Sequence, residues 1–227
     1  MTLHTVDILF QLIVFLFAIS IHESAHAWMA NRCGDPTARM LGRITLNPIK
    51  HIDPIGTILL PLIAAYENFA LIGWAKPTPV DPRNFRNQVF DDILTSVAGP
   101  VSNFLVATLS VLLLIFLSLT SMSGHQIVHS ISRGFVPLAN ESILVPVCVL
   151  FYEAMKINVV LGVFNLIPVP PLDGSHVLRH FLSDSIRRVY DAVGIFALIA
   201  LVFLGGGLLG RLIFPVVGVF DSILTRF

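Results

Sequence analysis

His22, Glu23 and His26 stand as His-Glu-x-x-His within FLFAISIHESAHAWMANRCG, a stretch otherwise apolar enough for a lipid bilayer. On a helix, residues four apart project from one face one turn apart, which is the placement that two ligands of one tetrahedral metal ion require. Glu23 points about 100° away round a helix of 3.6 residues per turn. It is near enough to reach water held by such an ion without ligating it, and is the expected general base. Two other histidine pairs share the spacing, His125 with His129 and His176 with His180, but lack the glutamate and lie near the ends of apolar runs. They read as interfacial or solvated histidines. His22 differs in depth, about sixteen residues or some 24 Å into its run at ~1.5 Å per residue. Ionisable side chains inside a membrane are costly and by default functional. The alternative, two histidines hydrogen-bonded to neighbouring helices beside a neutral Glu23, accounts for less of the full pattern.

The elements that must position this group are set by composition. Of 227 residues 55% are hydrophobic and 12% charged, against about 25% charged in soluble domains, and the mean hydropathy is +0.84. The expected class is an all-α polytopic membrane protein with at least four transmembrane helices, a re-entrant hairpin and a short extended edge. The first apolar run lacks the basic start and small-residue cleavage site of a secretory signal and reads as a retained span. Fourteen basic residues balance fourteen acidic ones, so no nucleic acid partner is indicated. Cys33 and Cys148 form no C-x-x-C pair, and no disulfide framework is expected. The spans are read at 6–30, 93–119 and 143–167, with a fourth beginning at 189–204 and an apolar tail at 212–224 after GGGLLG. Between the first two lies a segment broken by prolines and glycines, whose apolar patch is interrupted by Pro61 and by Glu67-Asn68. Pieces of about a dozen residues suit a hairpin entered and left from one side better than a span.

Orientation follows from the basic residues. Seven lie in 31–87, Arg32, Arg39, Arg43, Lys50, Lys76, Arg83 and Arg86, whereas the link 120–140 has only Arg133; Arg179, Arg187 and Arg188 follow the third span. The positive-inside rule places the end of the first span, the start of the second and the end of the third in the cytoplasm, with the N-terminus outside. Glu153 and Lys156, three apart within the third span, read as a local ion pair.

A catalytic zinc usually takes three protein ligands and leaves one position for water. The third must come from elsewhere in the chain at the same depth, and Asp173 in NLIPVPPLDG fits, carried on backbone that the prolines keep from being helical. Taken alone, that segment reads better as an ordinary proline-stopped helix with Asp173 in the headgroups.

HESAHAW in the first span, AGPVSNF opening the second and NLIPVPPLDG closing the third occur in the order found in the site-2 protease family of intramembrane zinc metallopeptidases, which this chain resembles from about residue 8 to 179. GDPTARMLGRITLNPIKHIDPIG and GWAKPTPV look like a minimal prokaryotic subgroup of that family. The resemblance implies one zinc ion per chain on His22, His26 and Asp173, with Glu23 catalytic. It implies that Asn165 contacts substrate or the oxyanion, and that Gly73, Trp74, Ala75 and Lys76 belong to an edge, 72–80, against which substrate unfolds. It further implies a single membrane-embedded metallopeptidase domain over 1–227, with a catalytic core at about 6–180 and C-terminal helices at about 187–225. Its substrate is a transmembrane protein, cut in or near a transmembrane segment at an active site toward the cytoplasmic side of the cell membrane. About twenty residues separate the second and third spans, too few for a PDZ domain, and no nucleotide-sensing module is read after the last span. Regulation is therefore expected from a membrane partner. The competing reading is a non-hydrolytic zinc-binding membrane protein, either a transporter or an inactive homologue. A transporter would often show paired repeats with broken helices, and none is visible. An inactive homologue would be expected to have lost Glu23 or a ligand.

Overall fold

The computed structural model describes residues 3–66, 73–135 and 142–227. Helix α1, Leu3–Cys33, is followed by the one-turn α2, Thr37–Met40, and α3, Leu60–Tyr66. The long α4, Gln88–Thr120, α5, Met122–Ser132, and α6, Leu144–Asn165, come next. They lead to α7, Asp173–Arg179, α8, Asp184–Leu204, and α9, Gly206–Leu224. Among the described residues there is no strand. Four helices are long and apolar enough to cross a membrane, Ile8–Cys33, Gln88–Thr120, Leu144–Asn165 and Gly207–Leu224. The fourth of these lies in α9, not at 189–204 where the sequence reading began it. Arg187, Arg188 and Asp191 occupy the first half of α8. The charge-free remainder, 192–204, spans only about 20 Å at ~1.5 Å per residue, short of a ~30 Å hydrocarbon core. The protein is a multi-pass membrane protein.

Local chemistry sets the helix ends near the site. Helix α1 stops at Gly34, whose φ of 113° is open to glycine and strained for other residues. Asp35 then turns the chain back, its side chain accepting from Thr37 N–H and hydroxyl, from Asp81 N–H and from Asn84 Nδ2–H. Burial alone would raise the Asp35 pKa, but these donors outweigh it and hold the carboxyl below its ordinary range. At the start of α4, Asn87 accepts from Phe90 N–H while Asp91 accepts from Asn87 N–H, a reciprocal cap.

Helix α4 lies centrally, packed against α1 on one side and α6 on the other. Ala107, Val111 and Leu114 of α4, Ile127, Val128 and Ile131 of α5, and Val145, Cys148, Met155 and Val159 of α6 build the apolar core with Leu224 of α9. Residues 122–132, in the link after the second span, therefore form an amphipathic helix, α5, that closes this core. Polar residues gather toward the other end of the bundle, where α1, α4, α6 and α7 meet. On α6 the Lys156 ammonium lies 2.6 Å from Glu153 and 4.9 Å from the Tyr152 ring centroid, which is the local pair expected from their spacing.

The expected re-entrant hairpin is described in part. Residues 54–59 form a π-helical turn capped by Asp53, and α3 continues it. Residues 67–72 of that expected hairpin lie outside the described residues. The extended segment 73–80 returns beside the entering chain, with Trp74 N–H donating to the Gly56 carbonyl at 3.1 Å and Lys76 N–H to the His51 carbonyl at 2.8 Å.

Candidate metal centre

His22 and His26 face inward from α1, their rings 4.6 Å apart and nearly perpendicular. Their outer nitrogens are both occupied. His26 Nδ1 lies 2.7 Å from the Thr95 carbonyl, which only accepts, so Nδ1 carries the proton. His22 Nδ1 lies 2.6 Å from Asn103 Oδ1. The Asn103 amide is oriented by its own Nδ2, which donates to Asn158 Oδ1 at 2.8 Å and to the Ala18 carbonyl at 3.4 Å. The network thus places a proton on Nδ1 of both rings and turns both Nε2 atoms to the centre, an arrangement common among metal-bound histidines.

Those two atoms converge with a carboxylate. His22 Nε2 is 3.0 Å from His26 Nε2. It lies 3.2 Å from Asp173 Oδ2, and His26 Nε2 lies 3.4 Å from Asp173 Oδ1. Asp173 Oδ2 is buried without a hydrogen-bond donor. A neutral imidazole offers only its Nε2 lone pair here, so these two nitrogens and the carboxylate need a proton or a cation among them. The separations suit zinc, because a tetrahedron with bonds of about 2.0–2.1 Å has edges of about 3.3 Å. Among the described residues, this is the one group of three such side chains close enough to hold a metal ion.

Backbone makes room for the centre at two glycines. A Cβ on Gly99 of α4 would strike the imidazole of His26 and come within 2.6 Å of His22. A Cβ on Gly174 would collide with the backbone of Leu166 and Ile167, the turn that leads out of α6. Gly174 therefore lets α7 start close against that turn, with Asp173 at its first position. Asp92 of α4 fastens α7 from the other side, 2.7 Å from His180 and 3.8 Å from His176. The second histidine pair, read as interfacial or solvated, also supplies the partners that a largely buried aspartate needs. His125 of the remaining pair donates from Nδ1 to the Phe227 carbonyl at 2.9 Å.

Glu23 is not one of the three converging groups and meets the segment 73–80. Its Oε2 accepts from Thr78 N–H at 2.8 Å. Arg43, only 5% exposed, lies in the same region and bonds to the carbonyls of Lys50, Lys76 and Pro77. Burial pushes the Arg43 pKa down, while the neighbouring Glu23 carboxylate works to raise it. Burial likewise pushes His51 below its ordinary value. Ser24 bonds to the Thr45 carbonyl and fastens this loop to α1.

The remaining expected site residues fall as follows. Trp74 is half exposed, and its carbonyl accepts from the Thr57 hydroxyl at 2.7 Å. Lys76 lends its backbone to Arg43 and His51. Gly73 packs so closely on the Gly56 carbonyl that a Cβ would not fit. Ala75 lies between these anchors, and among the described residues no hydrogen bond engages its backbone. Ile72 lies outside the described residues. Asn165 donates from Nδ2 to the Leu161 carbonyl of its own helix at 3.0 Å. The sequence reading gave Asn103, Thr95, Asn158 and Arg43 no part in the site. AGPVSNF contained Gly99 and Asn103 and was the one available signal for them.

The profile of peptidase family M50 matches residues 10–205. The chain belongs to that family. M50 is the site-2 protease family that the three motifs indicated. YwhC of Bacillus subtilis (strain 168), provisionally named a zinc metalloprotease, is 36% identical over 178 residues, covering 78% of this chain and 71% of its own. Rip2 of Mycolicibacterium smegmatis, under the same provisional designation, is 29% identical over 77% of this chain and 58% of its own. Rip2 of Mycobacterium tuberculosis (strain H37Rv) is 27% identical over 84% of this chain and 64% of its own. The chain thus spans less than two thirds of either Rip2 protein. No solved structure matches it.

Proposed function

We propose that this protein is an intramembrane zinc endopeptidase that hydrolyses a peptide bond in or near a transmembrane segment of another membrane protein. The observation that carries the reading is the meeting of His22 Nε2, His26 Nε2 and the Asp173 carboxylate, with both imidazole protons turned outward. His22, His26 and Asp173 hold the zinc, which when bound supplies Lewis acidity, lowering the pKa of water toward ~7 and polarising the scissile carbonyl. Glu23 takes the proton of the attacking water and returns it to the leaving amine. Its place beside the metal ligands, rather than among them, suits that role.

A substrate helix must also give up its own hydrogen bonds. One side of the segment 73–80 is tied to the protein through Trp74, Lys76 and Thr78, and the Ala75 backbone is left for a partner among the described residues. An extended stretch of substrate adds there as a further strand. Pro77 and Pro79 carry no N–H and keep the edge short. Small or helix-breaking residues near the cut ease unwinding. Asn165, at the end of α6, serves the substrate or the oxyanion. The core at about 6–180 and the C-terminal helices act as one domain. The N-terminus is outside and the site opens toward the cytoplasm, where a membrane partner regulates access. All residues expected of an active peptidase are present, which favours hydrolysis over a binding-only role.

The purified protein should cut a detergent-solubilised synthetic transmembrane helix containing a central Asn-Gly pair, and o-phenanthroline should suppress cleavage by more than about 100-fold. Mass spectrometry of the fragments locates the cut. Chelator-insensitive cleavage, or cleavage only in the soluble flanks, would count against the reading. Orientation is tested by single cysteines at Ile49 and Arg83, both exposed, in a background lacking Cys33 and Cys148. Both should resist an impermeant thiol reagent on intact cells and react once the membrane is opened. Labelling of one from outside with the other protected would mean a crossing between them.

A further inference from the structure

One residue of the extended segment holds Glu23 at two points. Thr78 N–H donates to Glu23 Oε2 at 2.8 Å, and the Thr78 hydroxyl donates to the Glu23 backbone carbonyl at 3.0 Å. The residues are 55 apart in the chain, so the contact belongs to the tertiary fold. Its sequence context is restrictive. Pro77 and Pro79 flank Thr78, and proline has no backbone N–H, so Thr78 supplies the one amide donor in 77–79. A slip of one residue in either direction would set a proline nitrogen opposite the carboxylate. A slip of two would move the next donor, on Lys76 or Val80, by about 6.6 Å along an extended chain. Pro-Thr-Pro therefore excludes both neighbouring registers between the segment and α1, and the nearest alternative needs that full two-residue shift. Arg43 on the Lys76 and Pro77 carbonyls, and the His51 carbonyl on Lys76 N–H, oppose that shift and hold the same register.

We propose that Thr78 is a positioning residue for the reaction. Its amide fixes the Glu23 carboxylate for proton transfer and so couples the base to the segment on which substrate pairs. The inference rests on the proteolytic reading above. A glutamate side chain has three rotatable bonds, and a general base must stay within about 2.6–3.2 Å of the proton it takes. The charge-assisted bond to Oε2 removes much of that freedom and leaves Oε1 as the oxygen for the proton. Because the donor is main chain, the base holds its place only while 76–78 is extended in the observed register. A displacement of ~1 Å is enough to cost about 10²-fold in rate.

Two measurements test this. The first needs neither metal nor substrate. Proline residues have no amide to exchange, so hydrogen exchange across 77–79, read from overlapping peptides of the full chain in detergent, reports Thr78 alone. Exchange should be at least tenfold faster in Glu23→Ala than in the natural chain, and equal rates would overturn the contact. The second is kinetic. Replacing Thr78 by its α-hydroxy acid turns the amide into an ester, which removes the N–H and keeps the side chain. This variant should lose about ten- to a hundredfold in kcat with KM and zinc content unchanged. Thr78→Ser should match the natural chain. In a Glu23→Asp background, where the shorter side chain no longer reaches Thr78, the ester should cost less than twofold. An ester variant with full kcat, or with raised KM and unchanged kcat, would overturn the positioning role. A zinc-loaded natural chain that cuts no helix would instead overturn the proteolytic reading, and the kinetic role of Thr78 with it, whatever the exchange result.

Discussion

Glu23→Gln should keep its zinc and lose about 10²–10⁴-fold in the rate of cleavage, the range supplied by a positioned general base. Glutamine has nearly the same shape and its carbonyl oxygen still accepts the Thr78 N–H, so the segment 73–80 stays in place. What it lacks is the ability to take a proton. Because Glu23 is not one of the three converging groups, metal content should not fall with activity. The measurement is zinc analysis of the purified variant beside single-turnover cleavage of the synthetic helix, with the fragments quantified by mass spectrometry. Retained zinc with lost cleavage is the expected pair. Substantial activity in Glu23→Gln would move the base elsewhere, and joint loss of zinc and activity would make Glu23 a ligand. The same variant serves in cells, where a single membrane protein that accumulates uncut only in the mutant would identify the physiological substrate.

Asp173→Ala should weaken zinc binding by more than about 100-fold, beyond the ten- to hundredfold typical for loss of an outer partner. Three donors meet at this centre, and removing the carboxylate leaves two neutral imidazoles with no anionic ligand. His22→Ala should behave alike. Asn103→Leu provides the graded comparison. It removes the acceptor that fixes His22 Nδ1–H but leaves all three ligands, so its zinc affinity should fall between the natural chain and Asp173→Ala. The order is read by competition with a chromogenic chelator at fixed pH. Full zinc retention in Asp173→Ala would remove Asp173 from the ligand set. Equal losses in Asn103→Leu and Asp173→Ala would mean that ring orientation, not ligand number, dominates affinity here.

The local parts of this centre were legible without a structure. His22, Glu23 and His26 lie within one helical turn and a half, so helix geometry alone puts two imidazoles on one face and the carboxylate off to the side. Asp173 was legible for a different reason, because the prolines before it end the third span; the irregular backbone expected to carry it stops at Leu172, and Asp173 itself opens α7. The long apolar runs announced α1, α4 and α6, since a bilayer fixes the length of what crosses it. The last crossing was misplaced between α8 and α9, because hydropathy alone gave too little weight to the charges that shorten α8.

The tertiary structure decided everything that depends on chain segments far apart. Asn103 reaches His22 over 81 residues and Thr95 reaches His26 over 69, and no periodicity in the sequence records such pairings. The Nδ1 protons of both rings follow from those two contacts, and with them the convergence of both Nε2 atoms on the Asp173 carboxylate. Gly99 looked like any small residue in a membrane helix until the imidazoles were seen packed against it. Asp92 gave no sign that it would hold His176 and His180, and Thr78 gave none that it would face Glu23. A hydrogen bond between distant residues is specified by where two elements dock, and docking is settled by the packing of whole helix faces. The sequence by itself therefore determined which side chains could do the chemistry, and only the packed bundle determined which groups hold them to it.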